Sequence, residues 1–271
     1  MSDKTRAAIP ETPDQETPLD TRLQGKVAIV TGGARGIGAA FCEGLAEAGA
    51  AVVVADVLDG SAVVERIQSG QGRAIHCHTD VTDPASVAAM AAKAVETFGG
   101  IDILVNNAGL FADLGKTPFR DITSDAWDRV MAVNVRGPFE CAKAVTPAMI
   151  ARGRGKIVNI ASGTVFKGFP NMLHYVASKG AVVAMTRSLA RELGGHNIGV
   201  NAIAPGLTMS EAVADNPEWA GPAGTGTVSS RAFQREQVPA DIVGTLVYLC
   251  SADSDFVTGQ TISVDGGSVM R

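Results

Sequence analysis

Residues 26–38 read KVAIVTGGARGIG, and this stretch decides the fold. Its β-branched run KVAIVT is typical of a buried strand, and the glycines after it lead into an alanine-rich segment of helical period over 36–49. A glycine turn lets backbone approach a pyrophosphate closely, and a helix N-terminus offers the anion free N–H groups and a favourable dipole. The stretch therefore predicts a nucleotide-binding turn. Its predicted cofactor-binding residues are Gly32, Arg35, Gly36, Ile37 and Gly38.

The same alternation of strand and helix continues along the chain. Helical segments that include 84–98 and 173–194 separate further short apolar runs. These runs are AVVVAD (51–56), AIHCHTDV (74–81), DILVNN (102–107), KIVNIAS (156–162), IGVNAIAP (198–205) and TISVDGG (261–267). Strands that alternate with helices indicate a parallel sheet with right-handed crossovers. We therefore predict an α/β protein with a single-domain Rossmann fold over 25–271, in which a doubly wound parallel sheet of about seven strands carries helices on both faces.

Composition excludes several classes of protein. The 271 residues carry a formal net charge of −5 without a basic run, which argues against nucleic-acid or anionic-membrane partners. No run of 18 apolar residues and no secretory h-region occurs, so we expect a cytoplasmic protein. Residues 1–24 are rich in proline and charge and are predicted to be a disordered leader. Glycine is in excess, with 31 residues where an average of about 7% gives roughly 19.

The segment 207–238 interrupts the alternation. It separates the strand at 198 from the helix near 239 and is rich in glycine after an initial helix-like turn. A loop of this length in an α/β domain is usually functional, so we predict a substrate-binding lid; a solvated insertion is the alternative.

Asp56 bears on the choice of cofactor. It ends the second strand, twenty residues beyond Gly36, where a carboxylate would accept hydrogen bonds from a ribose hydroxyl. The same charge would repel the 2′-phosphate of NADP, whereas Arg35 could hold that phosphate. Because Asp56 occupies the ribose position, we predict NAD, with NADP as the alternative.

Four motifs in order connect this chain to one family. They are TGGARGIG at 31–38, NNAG at 106–109, YVASK at 175–179 and PG at 205–206. With these motifs the chain resembles the short-chain dehydrogenases/reductases over about residues 24–271, and within them it is weakly similar to the 1-phenylethanol and pyridoxal dehydrogenases. The resemblance implies an NAD(H)-dependent oxidoreductase that interconverts a secondary alcohol and a ketone.

Tyr175 and Lys179 can be interpreted from chemistry as well. They lie four residues apart in a helical segment, so the ammonium can approach the phenol oxygen. A phenol of ordinary pKa, about 10, is a poor base near neutrality, and a neighbouring cation lowers that pKa. We therefore expect Lys179, together with oxidised nicotinamide, to lower the pKa of Tyr175.

The resemblance assigns the remaining catalytic and cofactor residues. It implies that Ser162, thirteen residues before Tyr175, binds the substrate oxygen and that Asn134 holds a water in a proton relay behind Lys179. Asp80 matches the adenine contact, Asn107 lies near the adenine ribose, and Pro205-Gly206 lies along the nicotinamide. The further cofactor-binding residues are Val81, Ala108, Gly109, Tyr175, Lys179, Thr208 and Ser210. Either hydroxyl, that of Thr208 or of Ser210, could serve the carboxamide.

The expected pocket walls are largely apolar and indicate a largely apolar or aryl substrate. They comprise Phe111, Thr164, Phe166, Phe169, Met172, Leu207 and Trp219. Two alternatives remain: an NADPH-dependent reductase of 3-oxoacyl thioesters or ketones, and a non-catalytic nucleotide-sensing module. The histidines form no convincing ligand set, so no metal is expected. Helices near 124–150 and 173–194 predict a homotetramer, with a dimer as the second choice.

Overall fold

The computed structural model describes residues 21–220 and 222–270, which build on one seven-stranded sheet. Every strand pair is parallel, and the strand order is β3-β2-β1-β4-β5-β6-β7. The strands are β1 Val27–Thr31, β2 Ala51–Asp56, β3 Arg73–His78, β4 Ile103–Asn106, β5 Gly155–Ile160, β6 Ile198–Pro205 and β7 Thr261–Val264. The order reverses between β1 and β4, which makes a crevice at the carboxyl ends of these strands. The predicted doubly wound α/β fold is confirmed.

Helices follow the strands as the alternation predicted. They are α1 Gly36–Glu47, α2 Ser61–Ser69, α3 Pro84–Phe98, α4 Ser124–Met131, α5 Gly137–Ala151, α6 Thr164–Lys167, α7 Leu173–Leu193, α8 Glu211–Ala214, α9 Pro217–Ala220, α10 Pro222–Ser229 and α11 Ala240–Cys250. Short 3-10 turns lie at Phe119–Asp121, Gly194–His196 and Ala252–Ser254. Within the described ranges, no helix is both long and apolar enough to cross a membrane.

Two apolar cores hold the helices against the sheet. Along β1, Ala28 and Val30 face the core that includes Phe41 of α1 and Leu246 of α11. The alternate residue Ile29 faces the opposite core, which contains side chains of α3, α5 and α7. Because successive strand residues point to opposite faces, a strand that is apolar throughout buries both sides of the sheet.

The N-terminal boundary differs from the prediction. Residues 1–20 of the predicted leader lie outside the described part of the chain. Leu23, however, is fully buried in the core beside α1, and its N–H donates to the Ala48 carbonyl at 2.8 Å. The leader bound at 24 is therefore wrong for residues 21–24, because an apolar side chain anchors them to the domain.

The segment 207–238 is partly helical, containing α8, α9 and α10 where a loop was expected. Its two ends meet: Thr208 and Gln237 form an isolated parallel bridge, and the Met209 N–H donates to the Gln237 carbonyl at 2.8 Å. The segment thus leaves and rejoins the domain at one place, over the carboxyl edge of the sheet. We refer to residues 207–238 as the lid segment.

A π-helical turn divides the helical region expected near 124–150 into two helices, α4 and α5. Residues Ala132–Arg136 lie between α4 and α5, and Asn134 is fully buried within this turn. A π-turn widens the helix by one residue and is frequent at functional sites.

Candidate active site

A cleft of about 780 Å³ crosses the carboxyl edge of the sheet. It brings together most of the predicted site residues, from the glycine turn after β1 to the lid segment. The predicted residues that line it are Gly32, Arg35, Gly36, Ile37, Gly38, Asp56, Asp80, Val81, Asn107, Ala108, Gly109, Phe111, Ser162, Thr164, Phe169, Tyr175, Lys179, Pro205, Gly206, Leu207, Thr208, Ser210 and Trp219. Asn134, Phe166 and Met172 are not among the lining residues.

The glycine turn leaves no room for side chains. A Cβ atom at Gly38 would lie 1.9 Å from the Gly32 carbonyl oxygen, and one at Gly32 would lie 2.8 Å from the Ala108 Cα. Gly32 and Gly36 have φ values of +64° and +57°, which favour glycine. No side chain caps the N-terminus of α1, so the turn fits a dinucleotide pyrophosphate.

Asn107 fastens this turn to the neighbouring strand. Its Nδ2 donates to the carbonyl oxygens of Thr31 and Gly32 at 3.1 and 2.9 Å. The Thr31 Oγ1 in turn accepts from the N–H groups of Asn107 and Ala108, each at 3.1 Å. The Asn107 amide group is thus bound to protein backbone, and the residue positions the turn beside the place where the resemblance put an adenine ribose.

Asp56 is buried at the rim of the glycine turn. Its carboxylate accepts the Ala34 N–H at 2.9 Å and the Leu58 N–H at 3.0 Å, one on each oxygen. The charge is held inside the cleft, where a ribose would meet it. Arg35 instead lies outward and is half-exposed, with its guanidinium 3.7 Å from the Asp113 carboxylate.

Asp80 and Val81 follow β3 at the same edge. The Asp80 Oδ1 accepts from the hydroxyl and the N–H of Thr82 at 2.7 and 2.8 Å, and the hydroxyl contact is the main cause that lowers the pKa of Asp80. The turn is fixed in this way, because the Asp80 N–H also bonds to Ser86 Oγ at 3.0 Å. Val81 is buried against the second core.

Ser162 and Tyr175 meet above the end of β5. Burial raises the pKa of Tyr175 to about 12, and a hydrogen bond to Ser162 opposes that rise. Thr164 donates to the Ser162 Oγ through its hydroxyl at 2.9 Å and its N–H at 3.2 Å. The serine oxygen is thus oriented by the first turn of α6 and faces the phenol.

Lys179 is held by main chain beside Tyr175. Its Nζ donates to the Ile160 carbonyl at 2.8 Å and lies 5.9 Å from the centre of the Tyr175 ring. Burial lowers the pKa of Lys179 to about 8. For the phenol of Tyr175, desolvation by burial outweighs the opposing hydrogen bond to Ser162, and a lowering of its pKa by Lys179 together with oxidised nicotinamide stays a prediction.

Asn134 lies directly behind this pair. Its Oδ1 accepts the Leu110 N–H at 2.8 Å, and its Nδ2 donates to Ser178 Oγ at 3.1 Å and to the Leu110 carbonyl at 3.2 Å. A Cβ at Gly109 would lie 3.3 Å from Asn134 Oδ1 and 3.4 Å from Lys179 Nζ. The two polar groups therefore converge on a space that Gly109 leaves open.

The structure distinguishes the two hydroxyls after Gly206. Thr208 is buried, and its Oγ1 donates to the Gly206 carbonyl at 3.1 Å. Ser210 reaches back to the phosphate turn, since a Cβ at Gly36 would lie 3.3 Å from the Ser210 Cβ. Thr208 therefore orders the chain beside Gly206, and Ser210 lies over the helix N-terminus.

Aromatic side chains form one wall of the cleft. Phe111 lies 5.0 Å from Tyr175 and 4.7 Å from Trp219 between ring centres, and Phe169 lies 5.9 Å from Trp219. Leu207 packs against the same cluster.

Two of the expected wall residues lie elsewhere. Phe166 packs against the core that contains Val182 and Val183, because α6 turns it inward. Met172 is fully buried behind Tyr175 and Trp219. Met172 therefore supports the aromatic wall from behind, whereas Phe166 belongs to a separate core, and neither lines the cleft.

Sequence reasoning missed several lining residues. Arg231 and Asp265 line the cleft and are buried, and the exposed Lys167 lines it as well. Asp265 follows β7 directly, so the rule that ligands bind at carboxyl ends of strands could have found it. Nothing in the local sequence pattern distinguishes Arg231 from a solvated charge, because its burial arises from packing against residues distant in sequence, such as Gly266.

Comparison with known proteins decides the family. A family model described as enoyl-(acyl carrier protein) reductase matches residues 32–269. The chain is 41% identical over 258 residues to galactitol 2-dehydrogenase of Agrobacterium fabrum, a match that covers 92% of this chain and 99% of that protein. The chain belongs to the short-chain dehydrogenase/reductase family.

Further relatives show how varied the substrates of such dehydrogenases are. The 3-oxoacyl-[acyl-carrier-protein] reductase of Thermotoga maritima is 35% identical over 251 residues, covering 92% of this chain and 100% of that protein. A crystal structure of a putative NAD(P)-dependent gluconate 5-dehydrogenase from Beutenbergia cavernae, with NADP bound at low occupancy, has a TM-score of 0.85 and 36% identity over 92% of this chain and 98% of that one. As a short-chain dehydrogenase/reductase, the protein is an oxidoreductase of alcohols and ketones that uses a nicotinamide dinucleotide.

Proposed function

We propose that the protein is an NAD(H)-dependent dehydrogenase that interconverts a secondary alcohol and a ketone on a largely apolar or aryl substrate. The observation that carries the proposal is the convergence of Ser162, Tyr175 and Lys179 beside the aromatic wall at the carboxyl end of β5. Their retention also argues against a purely nucleotide-sensing module.

In this proposal, side chains of the protein transfer the proton to or from the substrate oxygen. Tyr175, neutral near pH 7 because burial raises its pKa to about 12, is ready to donate a proton to a carbonyl oxygen. Ser162, oriented by Thr164, binds the same oxygen. In the alcohol-oxidising direction the phenol of Tyr175 must first lose its proton to solvent, and the resulting phenolate would accept the proton of the alcohol. A bound nicotinamide supplies or accepts the hydride.

Lys179 and Asn134 support this proton transfer. The Lys179 ammonium, bound to the Ile160 carbonyl and next to Gly109, would contact the nicotinamide ribose, as the family resemblance implies. The Asn134 side-chain oxygen and the Lys179 ammonium both lie beside Gly109, where Asn134 would hold a water. Its hydrogen bonds to Leu110 fix the orientation of the amide.

The preference for NAD rests on the carboxylate of Asp56. It is buried and fixed by two backbone N–H groups at the rim of the turn, so a 2′-phosphate there would meet an unscreened like charge. Arg35 is half-exposed and near Asp113, which weakens it as a phosphate ligand.

The cofactor test compares kcat/KM for NAD and NADP in wild type and Asp56→Ala. We expect wild type to favour NAD by at least about 100-fold, since like-charge contact costs several kcal/mol, and the variant to lose at least about tenfold of that preference. Asp59→Asn, a change of an exposed carboxylate three residues away, is the matched control and should keep the wild-type ratio. A wild type that prefers NADP would contradict the proposal.

The alternative is an NADPH-dependent reductase of 3-oxoacyl thioesters. The description of the matching family model and the Thermotoga maritima relative favour it. Efficient turnover of a 3-oxoacyl thioester with NADPH, together with no oxidation of aryl or cycloalkyl alcohols by NAD, would decide for this reading. Relatives named for galactitol and sorbitol make polyols a further class to include in the panel.

We also propose a homotetramer, with a dimer as the second choice. Large apolar side chains on the expected contact helices are half-exposed, namely Phe139 and Ile150 of α5 and Leu173 of α7. Light scattering tests this proposal, and a monomeric mass would overturn it.

A further inference from the structure

Three buried polar side chains at one end of the cleft are only partly hydrogen-bonded. Arg231 is 4% exposed, Gln237 5% and Asp265 3%. Their atoms Arg231 Nε, Gln237 Oε1 and Asp265 Oδ2 have no hydrogen-bond partner among the described residues. A buried polar atom without a hydrogen bond destabilises a fold. In most proteins such atoms are therefore bonded to protein, to water or to a ligand.

Each of these side chains is fixed by its other polar atoms. Arg231 donates through Nη1 to the Arg235 carbonyl at 2.9 Å and through Nη2 to the Leu207 carbonyl at 2.6 Å. Gln237 Nε2 donates to the Val264 carbonyl at 2.7 Å. Asp265 Oδ1 accepts the N–H groups of Gly267 and Ser268, both at 3.1 Å. The unpaired atoms are therefore held in place and are not free to turn towards solvent.

The cluster adjoins the catalytic centre from the side of β6 and β7. A Cβ at Gly206 would lie 2.9 Å from Gln237 Oε1, and one at Gly163, the residue after Ser162, would lie 3.7 Å from Asp265 Oδ2. Arg231 and Asp265 line the same cleft as Tyr175. Asp56 follows β2, at the opposite side of the sheet. The position thus belongs to the substrate end of the cleft and not to the adenosine end.

The hydrogen-bonding groups and charges of the cluster indicate which kind of ligand group it can bind. It offers one donor, the Arg231 Nε–H, and two acceptors, and the charges of Arg231 and Asp265 offset each other. A carboxylate would meet the negative charge of Asp265, and an apolar group would leave all three atoms unpaired. A hydroxyl group both donates and accepts a hydrogen bond, so it satisfies the donor and one acceptor together.

We propose that Arg231 and Asp265, with Gln237 behind them, bind a second, non-reacting hydroxyl of the substrate. This inference rests on the proposed function and narrows the substrate to a secondary alcohol with an apolar body and a further hydroxyl. The aromatic wall contacts the apolar part of the substrate, and Tyr175 binds the reacting oxygen. Sites built to hydrogen-bond a substrate hydroxyl discriminate strongly against analogues without it, because their polar groups then stay unpaired.

The test uses the NAD-loaded enzyme and matched substrates. Initial rates are measured for cyclohexanol and for the 1,2-, 1,3- and 1,4-cyclohexanediols, in wild type, Arg231→Met and Asp265→Asn. We expect wild type to favour at least one diol over cyclohexanol by about tenfold or more in kcat/KM. Both variants should lose that preference through a higher KM for the diol, with little change for cyclohexanol. Because two different substitutions are used, misfolding of one leaves the other as a test.

Arg235→Met is the control. It removes an exposed guanidinium four residues away, which pairs with Asp241, but keeps the main-chain carbonyl that holds Arg231. It should retain the wild-type preference.

The possible outcomes separate this inference from the proposed function. If wild type oxidises cyclohexanol but does not prefer any diol, the inference is overturned and the proposed function is not. The same holds if both Arg231→Met and Asp265→Asn keep the preference for the diol. A preference for 4-hydroxycyclohexanecarboxylate over every diol would identify an anion site and overturn it as well. No NAD-linked turnover of any of these alcohols would instead contradict the proposed function.

Discussion

The ammonium of Lys179 donates a hydrogen bond to the Ile160 carbonyl at 2.8 Å, two residues before Ser162. This contact joins α7 to the end of β5 and so fixes the relative position of the helix that carries Tyr175 and the strand end that carries Ser162. The geometry of these proposed catalytic residues therefore depends on a buried cation that is bound to backbone, because that bond compensates part of its desolvation.

Replacing Tyr175 by Phe removes the proposed proton donor while keeping the ring. We expect kcat to fall by about 100-fold or more, since general acid–base catalysis contributes 10²- to 10⁴-fold. The fold of the site should persist because the ring contacts with Phe111 remain, so the loss of NAD affinity should be much smaller than the loss of kcat. Turnover of cyclohexanol and calorimetric NAD binding measure the two effects.

The chain offers a matched control in its other tyrosine, Tyr248 of α11, which is partly buried against the core. Tyr248→Phe should retain wild-type turnover. If Tyr175→Phe were as active as Tyr248→Phe, the assigned proton donor would be wrong.

Lys179 makes stability depend on pH in a defined direction. Its pKa falls from 10.5 to about 8 on folding, so between these values the unfolded chain binds more protons and stability rises with pH. The full slope is about 1.4 kcal/mol per pH unit, and the gain is lost as pH falls towards 8. Lys179→Met lacks this contribution, and urea unfolding of both proteins from pH 7.5 to 10 measures it.

The comparison must be a difference between the two proteins. Burial also raises the pKa of the thiols of Cys42, Cys141 and Cys250, which makes both proteins less stable as pH rises past 9. We expect the free energy of unfolding of wild type minus that of Lys179→Met to increase from pH 8 to 10. Parallel pH curves for the two proteins would show that Lys179 is not desolvated as described.

Gly38→Ala should damage both the fold and the cofactor site. The new methyl would lie 1.9 Å from the Gly32 carbonyl oxygen and 2.6 Å from Asn107 Nδ2, so the turn must move. We expect a loss of about 2–4 kcal/mol in the free energy of unfolding and weaker NAD binding, measured by urea titration and calorimetry.

Gly244→Ala in α11 is the control for this substitution. Nothing lies within 4 Å of a Cβ there, so the helix should gain up to about 1 kcal/mol in stability and NAD binding should not change. Equal NAD affinity in the Gly38 and Gly244 variants would contradict the assigned phosphate turn.

Trp219→Leu tests the aromatic wall. Trp219 is buried between Phe111, Phe169 and the Lys116 ammonium, which lies 4.8 Å from the ring centre. Loss of this contact area should raise KM for cyclohexanol by about tenfold, equal to about 1.4 kcal/mol, with a smaller change in kcat.

The second tryptophan, Trp127 of α4, supplies the matched control. Trp127→Leu should leave KM within about twofold of wild type. A larger effect at Trp127 than at Trp219 would place the substrate elsewhere in the protein.

The sequence by itself predicted the doubly wound parallel sheet and most of the proposed site residues that line the cleft. Continuous apolar runs fix which segments become buried strands, and the carboxyl ends of parallel strands share one edge, so Gly32, Asp56 and Ser162 had to meet there. The spacing of Tyr175 and Lys179 placed both on α7 because helical geometry is local.

Only the tertiary structure decided the rest, because burial and hydrogen-bond partners depend on segments distant in sequence. Burial of the phenol, which the sequence pattern does not show, raises the pKa of Tyr175 to about 12. The lid segment folded into short helices and buried Arg231 beside Asp265, thirty-four residues later in the chain. No local pattern encodes that approach, since the free energy that buries a charge comes from contacts made only when the whole domain closes around it.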